Sequence, residues 1–103
     1  MVDQLEAEFH EAMLNVYRRA KSECGYNATR FLQMVSEQGG LQAAKTLLYK
    51  EGYSDGFVEL WQYGRLDISM EALILREPWS SLFTAEELAI AHRRLQELGF
   101  EPT

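Results

Sequence analysis

Two adjacent glycines, Gly39 and Gly40, separate two amphipathic segments in the first half of the chain. Before the pair, residues 31, 32, 34 and 35 are apolar, a spacing that gathers them on one side of a helix. After the pair, apolar residues at 41, 44, 47 and 48 form a second stripe. Glycine adopts the left-handed conformation that ends a helix without a Cβ clash. The pattern therefore predicts an αα-hairpin over residues 28–50, with Gly39 or Gly40 at a positive φ.

The same hairpin has the form of a helix-turn-helix, whose second helix enters the major groove in DNA-binding proteins. Its outward side chains would be Gln42, Lys45, Thr46, Tyr49 and Lys50. Glutamine can bind adenine through two hydrogen bonds, and lysine can bind guanine or phosphate. The alternative is an ordinary helical hairpin packed into a core, which is the commoner arrangement. Both interpretations are open at this point.

A long helix is predicted before the hairpin. Residues 3–23 repeat apolar side chains every three or four positions, which is typical of an amphipathic helix. Acidic residues come early in this segment and basic residues come late, an order that complements the helix dipole. Asn27 or Thr29 can then cap the first helix of the hairpin, because a side-chain oxygen satisfies an open backbone N–H.

Serine and threonine caps divide the second half of the chain into shorter helices. Ser54 and Ser69 each precede an apolar segment whose first turn they can cap. Pro78 suits the first position of another short helix. Thr84, followed three residues later by Glu87, forms a capping box that begins a closing helix.

Length and composition agree with one small all-α domain. The chain has 103 residues, of which 47% are hydrophobic and 25% are charged, as is typical of a globular domain with one core. Residues 65–68 are expected to be extended, but a segment of this length cannot form a sheet alone. The predicted fold is an all-α bundle of about five to seven helices, with residues 1–103 forming a single helical domain.

The acidic balance of the chain restricts its partners. The formal net charge is −6, and an acidic chain repels nucleic-acid phosphates and anionic membrane surfaces. A nucleic-acid partner is therefore disfavoured unless the ten Lys and Arg residues converge. The sequence contains no signal-like segment and no apolar run near the length of a membrane span. This pattern predicts a cytoplasmic protein without a membrane partner.

The sequence shows no pattern typical of catalysis or of cofactor binding. Cys24 is the only cysteine, which excludes an intrachain disulfide and a cysteine zinc cage. His10 lies four residues after Glu6, and the two could hold a metal with His92 only if the first and last helices packed side by side. No nucleophile elbow or glycine-rich phosphate loop occurs. We expect no enzyme activity, no metal and no cofactor.

Three segments cover most of the chain: EFHEAMLNVYRRAKSECGYNATRFLQMVSEQGGLQAAKTLL (8–48), SDGFVELWQYGRLDISMEALIL (54–75) and PWSSLFTAEELAIAHRRL (78–95). Together and in this order, they resemble a family of uncharacterised short bacterial all-helical proteins. Members of that family occur alone or as tails on larger proteins, some of them nuclease-like or defence-like. The resemblance implies an all-helical fold and an accessory role near nucleic-acid metabolism or defence. It implies no particular catalytic or binding residue.

The function that we predict is a non-catalytic protein-interaction module, acting as an adaptor or through self-association. The aromatic residues between positions 53 and 79 either pack a core or leave tyrosines exposed, and tyrosine, tryptophan and arginine are enriched at interfaces. The alternative is a nucleic-acid-binding protein that uses the hairpin of residues 28–50. The predicted partner-binding residues are Gln42, Lys45, Tyr49, Lys50, Arg30 and Arg65.

Overall fold

Within residues 3–101, which the computed structural model describes, the chain forms six α-helices and two short 3-10 helices. The α-helices are α1 (Gln4–Cys24), α2 (Thr29–Gln38), α3 (Gly40–Tyr49), α4 (Asp55–Gln62), α5 (Met70–Ile74) and α6 (Ala85–Glu97). The 3-10 helices are Leu66–Ile68, between α4 and α5, and Trp79–Leu82, between α5 and α6. Residues 3–101 contain no strand, and the all-α prediction is confirmed.

The long first helix, α1, follows the apolar pattern of its sequence. Phe9, Met13, Val16 and Ala20 recur at steps of three or four residues, and all four side chains are buried. Phe9 and Met13 enter one core cluster, and Val16 and Ala20 enter another. Both halves of the chain therefore pack against α1.

The predicted helical hairpin is confirmed. The helices α2 and α3 meet at Gly39, whose φ of 85° lies in a region that strains residues with a Cβ. Val35 of α2 is buried in the same cluster as Ala43, Ala44 and Leu48 of α3. Small side chains on α3 allow neighbouring helices to approach it closely.

The side-chain cap that we predicted for α2 is wrong. The residue before the helix is Ala28, and no side chain caps the first turn. Thr29 is already the first residue of α2. Asn27 Oδ1 accepts a hydrogen bond from the Tyr17 hydroxyl at 2.5 Å. The Asn27 side chain is thus bound to α1 and ties the α1–α2 loop to the long helix.

The caps predicted for the later helices are confirmed. Ser54 and Ser69 each accept a hydrogen bond from the backbone N–H three residues on, at 3.1 and 3.2 Å. Thr84 and Glu87 form the capping box, in which each side chain accepts from the backbone N–H of the other residue. Pro78 lies immediately before the second 3-10 helix, one position earlier than predicted. Each cap satisfies a backbone N–H that the helix leaves open.

Residues 65–68, which we expected to be extended, form a 3-10 turn instead. Ile68 N donates to Arg65 O at 3.1 Å, and Ser69 N donates to Leu66 O at 3.0 Å. The segment has no neighbouring strand, so its backbone groups pair with each other. Leu66 and Ile68 are 4% and 2% exposed, and both side chains enter the core.

Two clusters of buried apolar side chains fill the interior. The larger cluster consists of Phe9, Met13, Val35, Ala43, Ala44, Leu48, Met70, Ile74, Phe83 and Ala91. The second cluster consists of Val16, Ala20, Phe57, Leu60, Leu66, Ile68, Ala72 and Leu95. Both clusters draw residues from α1, α5 or its flanks, and α6. Removal of this apolar surface from water is the main stabilising contribution to the fold.

Candidate interaction surface

A buried arginine fixes the C-terminal end of α3. Arg94 of α6 and Glu71 of α5 are 5% and 4% exposed, and Arg94 Nη1 lies 3.2 Å from Glu71 Oε2. The guanidinium also donates to the carbonyl oxygens of Leu47, Leu48 and Lys50, at 3.2, 3.0 and 2.8 Å. The last turn of a helix leaves such carbonyls without partners. One side chain of α6 therefore caps α3 and positions the loop that follows it.

Sequence reasoning missed both members of this buried pair. The spacing of α6 could have indicated that Arg94 is buried, because it lies three residues after Ala91 and one before Leu95, on the buried side of the helix. Glu71 lies between two buried residues of α5. Burial raises the pKa of the Glu71 carboxyl, and the neighbouring guanidinium opposes this effect.

A cleft of about 500 Å³ opens beside the loop that Arg94 positions. Its lining comes from the α1–α2 loop, from α2 and α3, and from residues 50–56. The apolar part of the lining is Phe31, Met34 and Leu47, which are half-buried. The cleft falls within the size range of small ligand-binding pockets, which are typically about 300–1,000 Å³. It is large enough to receive side chains of a partner.

Two of the six predicted partner-binding residues, Arg30 and Lys50, line this cleft. Arg30 Nη1 lies 3.8 Å from Asp55 Oδ2, but the two side chains are 92% and 83% exposed. Water therefore screens the attraction between them. Lys50 forms no salt bridge within residues 3–101. The structure thus brings two cations to one opening, which Glu51 and Asp55 also line.

Gln42 and Lys45 lie along a second cleft near the start of α3. Gln42 is exposed. Lys45 is not a free surface cation as we predicted: its Nζ lies 2.7 Å from Glu87 Oε1, and the two side chains are 28% and 4% exposed. The ammonium group also lies 5.1 Å from the centre of the Phe83 ring. Lys45 is therefore neutralised within the fold, where it joins α3 to α6.

The Glu87 carboxylate binds both the Lys45 ammonium group and the backbone N–H of Thr84. Burial would raise the pKa of the Glu87 carboxyl, but hydrogen bonds from Lys45 and from Thr84 N outweigh burial, and its pKa is lowered. Nearby, partial loss of water contact and the Glu87 carboxylate raise the pKa of Tyr49. The negative charge of Glu87 is thus retained at the junction of α3 and α6.

Several large aromatic side chains remain at the surface. Tyr49, Tyr53, Trp61 and Tyr63 are 55%, 38%, 47% and 54% exposed. Of the two alternatives for the aromatic residues between positions 53 and 79, exposure holds for Tyr53, Trp61 and Tyr63, whereas Phe57 is buried. Tyr53 lines the 500 Å³ cleft and packs on Phe57, with ring centres 5.4 Å apart. An aromatic anchor therefore lies beside the two cations of the cleft.

Arg65 lies elsewhere, in an ion-pair network between α1 and the first 3-10 helix. Its guanidinium lies 2.7 Å from Glu23 Oε1 and 3.0 Å from Asp67 Oδ1. Arg19 contacts the same two carboxylates at 2.8 and 3.8 Å. The hydrogen bonds that these arginines donate lower the pKa values of both carboxyls. Arg65 therefore does not join the cations at the cleft.

Most of the basic residues lie within ion-pair distance of a carboxylate. Within residues 3–101, six of the ten Lys and Arg residues form ion pairs: Arg18, Arg19, Arg30, Lys45, Arg65 and Arg94. On the helix that would enter a DNA groove, Lys45 is paired and Thr46 Oγ1 donates to Gln38 Oε1 at 2.9 Å. Affinity for nucleic acid depends on several phosphate contacts. This arrangement adds no support to the nucleic-acid alternative.

The two histidines occupy separate surroundings. In the part of the chain that the structure describes, no three His, Cys, Asp or Glu side chains are grouped closely enough to hold a metal ion. His10 Nδ1 accepts a hydrogen bond from Gly40 N at 2.9 Å. His92 is exposed on α6. Cys24, a half-buried free thiol, is the last residue of α1.

Comparison of the chain with protein-family models, with curated proteins and with solved structures found no match. The resemblance to short bacterial proteins stays a prediction. Of the helices within residues 3–101, none combines the length and the apolar character that crossing a bilayer requires.

Proposed function

We propose that the chain is a non-catalytic protein-interaction module that binds a protein partner or a second copy of itself. The observation that carries the proposal is the cleft between α2 and residues 50–56, where apolar surface lies beside charged groups of both signs and an exposed tyrosine. Phe31 and Met34 supply half-buried apolar surface, and Tyr53 supplies the ring. The positive charges belong to Arg30 and Lys50, and the negative charges belong to Glu51 and Asp55.

Each of these features contributes to binding by a known physical effect. An apolar side chain that enters the cleft leaves water, which stabilises a complex by about 25 cal/mol for each Å² of apolar surface buried. Tyr53 offers a large contact surface at low conformational-entropy cost. Arg30 and Lys50 attract acidic side chains of a partner, and the carboxylates at positions 51 and 55 attract basic ones, so that the charges together orient the partner as it approaches. A few such residues carry most of the affinity of a typical interface.

We further propose that the module is cytoplasmic and acts as an accessory to nucleic-acid metabolism or defence. The support is the resemblance of residues 8–48, 54–75 and 78–95 to short bacterial proteins that also occur attached to nuclease-like or defence-like proteins. In that role the module supplies contacts between proteins, and the chemistry belongs to its partner.

Site-specific photo-cross-linking tests the contact surface. A photoreactive phenylalanine that replaces Lys50 should form adducts with one partner, either another protein or a second copy of the chain. The same probe at Lys21, which is exposed on α1, is the matched control and should form few adducts. Mass spectrometry identifies the adduct. Equal adduct yields at the two positions would contradict the proposal.

Charge reversal at the cleft supplies a second test. Arg30→Glu combined with Lys50→Glu should change the free energy of unfolding by no more than about 1 kcal/mol in total, because both residues are exposed. It should reduce partner recovery from the native host. Arg18→Glu with Lys21→Glu makes the same change of charge on α1 as a control. Equal losses in the two variants would count against the cleft, and recovery that disappears after nuclease treatment would favour the nucleic-acid alternative.

A further inference from the structure

The first backbone N–H of α3 is bound by a side chain from another helix. Gly39, which precedes α3, has no side chain to cap it. Gly40 N donates instead to His10 Nδ1 of α1 at 2.9 Å, across a separation of 30 residues. The first four N–H groups of a helix have no partner within the helix. His10 of α1 thus satisfies one of these open groups, at a helix whose N-cap residue has no side chain to satisfy another.

The backbones of α1 and α3 approach very closely at this bond. A Cβ added to Gly40 would lie 2.7 Å from His10 Cα and 3.3 Å from His10 Cβ. Only glycine permits this approach, which brings the imidazole against the start of α3. The hydrogen bond is therefore part of the contact between the two helices.

His10 can accept this bond only when Nδ1 carries no proton. In a neutral imidazole one nitrogen accepts and the other donates, whereas both nitrogens donate in the imidazolium ion. Protonation would therefore place two donors, Nδ1–H and the Gly40 N–H, against each other. It would also add a positive charge at the N-terminus of α3, where the helix dipole is already positive.

The charged groups beside His10 come from two helices. Glu6 and Glu11 of α1 line the same cleft as His10, and so does Lys45 of α3. Gln38, at the end of α2, also lines the cleft and carries no charge. The carboxylates lie on the same helix as His10 and stay beside it if α3 moves away. Lys45, which is paired with Glu87, would move away from His10 together with α3.

We propose that His10 is a pH-sensitive cap: its neutral imidazole holds the start of α3, and its protonation releases the Gly40 N–H and loosens the α2–α3 hinge from α1. Histidine is the side chain that ordinarily changes charge between about pH 5 and 8, and the tests cover this range. Arg94 continues to hold the carbonyls at the other end of α3. The helix therefore loosens from its N-terminal end.

The amide NMR signal of Gly40 tests the cap directly. Between about pH 8 and 5.5, the chemical shift and hydrogen exchange of the Gly40 N–H should follow the titration of the His10 ring. His10→Asn places an oxygen at the position of Nδ1 and does not titrate in this range, so the Gly40 signal should become independent of pH. A wild-type Gly40 signal that stays constant while the His10 ring titrates would overturn the proposal.

Urea unfolding measures the effect on the whole fold. The unfolding midpoint of the wild type should fall between about pH 7.5 and 5.5, and most of this fall should disappear in His10→Asn. His92→Asn removes the exposed histidine of α6 and should retain the full fall. An equal fall in the wild type and in His10→Asn would overturn the proposal. If His10→Asn does not fold, the Gly40 titration of the wild type decides the question.

Discussion

Gly39 and Gly40 are adjacent in the chain, but each position requires glycine for a different physical reason. At Gly39 the demand is conformational, because its φ of 85° and ψ of 154° belong to a region that is essentially restricted to glycine. A Cβ added there would meet nothing within 4 Å. At Gly40 the demand is space, because a Cβ would lie 2.7 Å from the backbone of His10. The pair therefore combines a backbone requirement with a packing requirement.

We expect Gly39→Ala and Gly40→Ala each to lower the free energy of unfolding by about 1–3 kcal/mol, the first through backbone strain and the second through separation of α1 from α3. Gly56→Ala is the control, because its Cβ would lie 3.7 Å from Tyr26 Cε2 in ordinary contact. It should leave stability unchanged or raise it by up to about 1 kcal/mol through helix propensity. Urea unfolding measures all three variants. Wild-type stability in Gly40→Ala would contradict the close approach.

Replacement of Arg94 should lower the free energy of unfolding mainly because it leaves the buried Glu71 carboxylate without its partner. Arg94→Met should lower the free energy of unfolding by about 3–5 kcal/mol, because the Glu71 carboxylate stays buried without its partner. Arg94→Met combined with Glu71→Met should cost less than the single change, because no buried charge remains. A double-mutant cycle by urea unfolding measures the coupling. If the double variant is no more stable than Arg94→Met, the loss of stability comes from the carbonyl contacts at the end of α3 and not from the ion pair.

Among the helices, α3 depends most visibly on its neighbours. Its first N–H is bound by His10 of α1, its middle is joined to α6 by the Lys45–Glu87 pair, and its last carbonyls are bound by Arg94. It has 10 residues, fewer than an isolated helix needs to be stable in water. The position of α3, and with it one wall of the 500 Å³ cleft, is therefore set by side chains on α1 and α6.

Lys45→Glu should destabilise the fold, although helical periodicity alone places Lys45 on a polar side. The change puts a second carboxylate against Glu87, whose side chain is 4% exposed, and we expect a loss of at least about 2 kcal/mol. Lys50→Glu makes the same chemical change at an exposed position and should alter stability by no more than about 0.5 kcal/mol. Thermal melting compares the two variants. Equal melting temperatures would mean that the Lys45–Glu87 pair contributes nothing to stability.

For the molecule as a whole, stability should fall on acidification below about pH 4.5, the ordinary pKa of a glutamate. The pKa values of Glu23 and Asp67 are lowered by the arginines that contact them. Stability from these pairs is fully present above the pKa values of the unfolded chain and is lost as pH falls through the lowered values of the folded state. Glu71 acts in the opposite sense, because its pKa is raised and its protonation relieves a buried charge.

Removal of Arg65 should therefore weaken the dependence of stability on pH in the acid range. Arg65→Gln deletes the charge that contacts Glu23 and Asp67 and keeps a polar side chain at the position. The urea midpoint, measured from pH 5 to about pH 3, should fall less in this variant than in the wild type. Arg93→Gln, which changes an exposed arginine of α6 away from Glu23 and Asp67, is the control. Identical slopes in the wild type and Arg65→Gln would exclude the network as a source of the acid sensitivity.

Local sequence was sufficient for most of the helices and their ends. The caps at Ser54, Ser69 and Thr84 depend on groups within four residues of each other, and all three were predicted. A positive φ was predicted for one glycine of the hinge pair, and Gly39 has it. The missing cap of α2 shows where this reasoning stops. Asn27 has the right local chemistry, but Tyr17, ten residues earlier, binds its side-chain oxygen.

Whether a polar residue is exposed and unpaired depended on contacts with distant parts of the chain, which local sequence patterns do not predict. Lys45 and Arg65 look like exposed cations by periodicity, yet each is paired with a carboxylate 42 residues away. Arg94 binds the carbonyl of Leu48 across 46 residues. Periodicity identifies the polar side of a helix, but it does not specify which side chain another helix brings against that side. Arg30 and Lys50 line one cleft because α2 and α3 pack against each other. The 20 positions that separate these two residues in the chain do not predict this proximity.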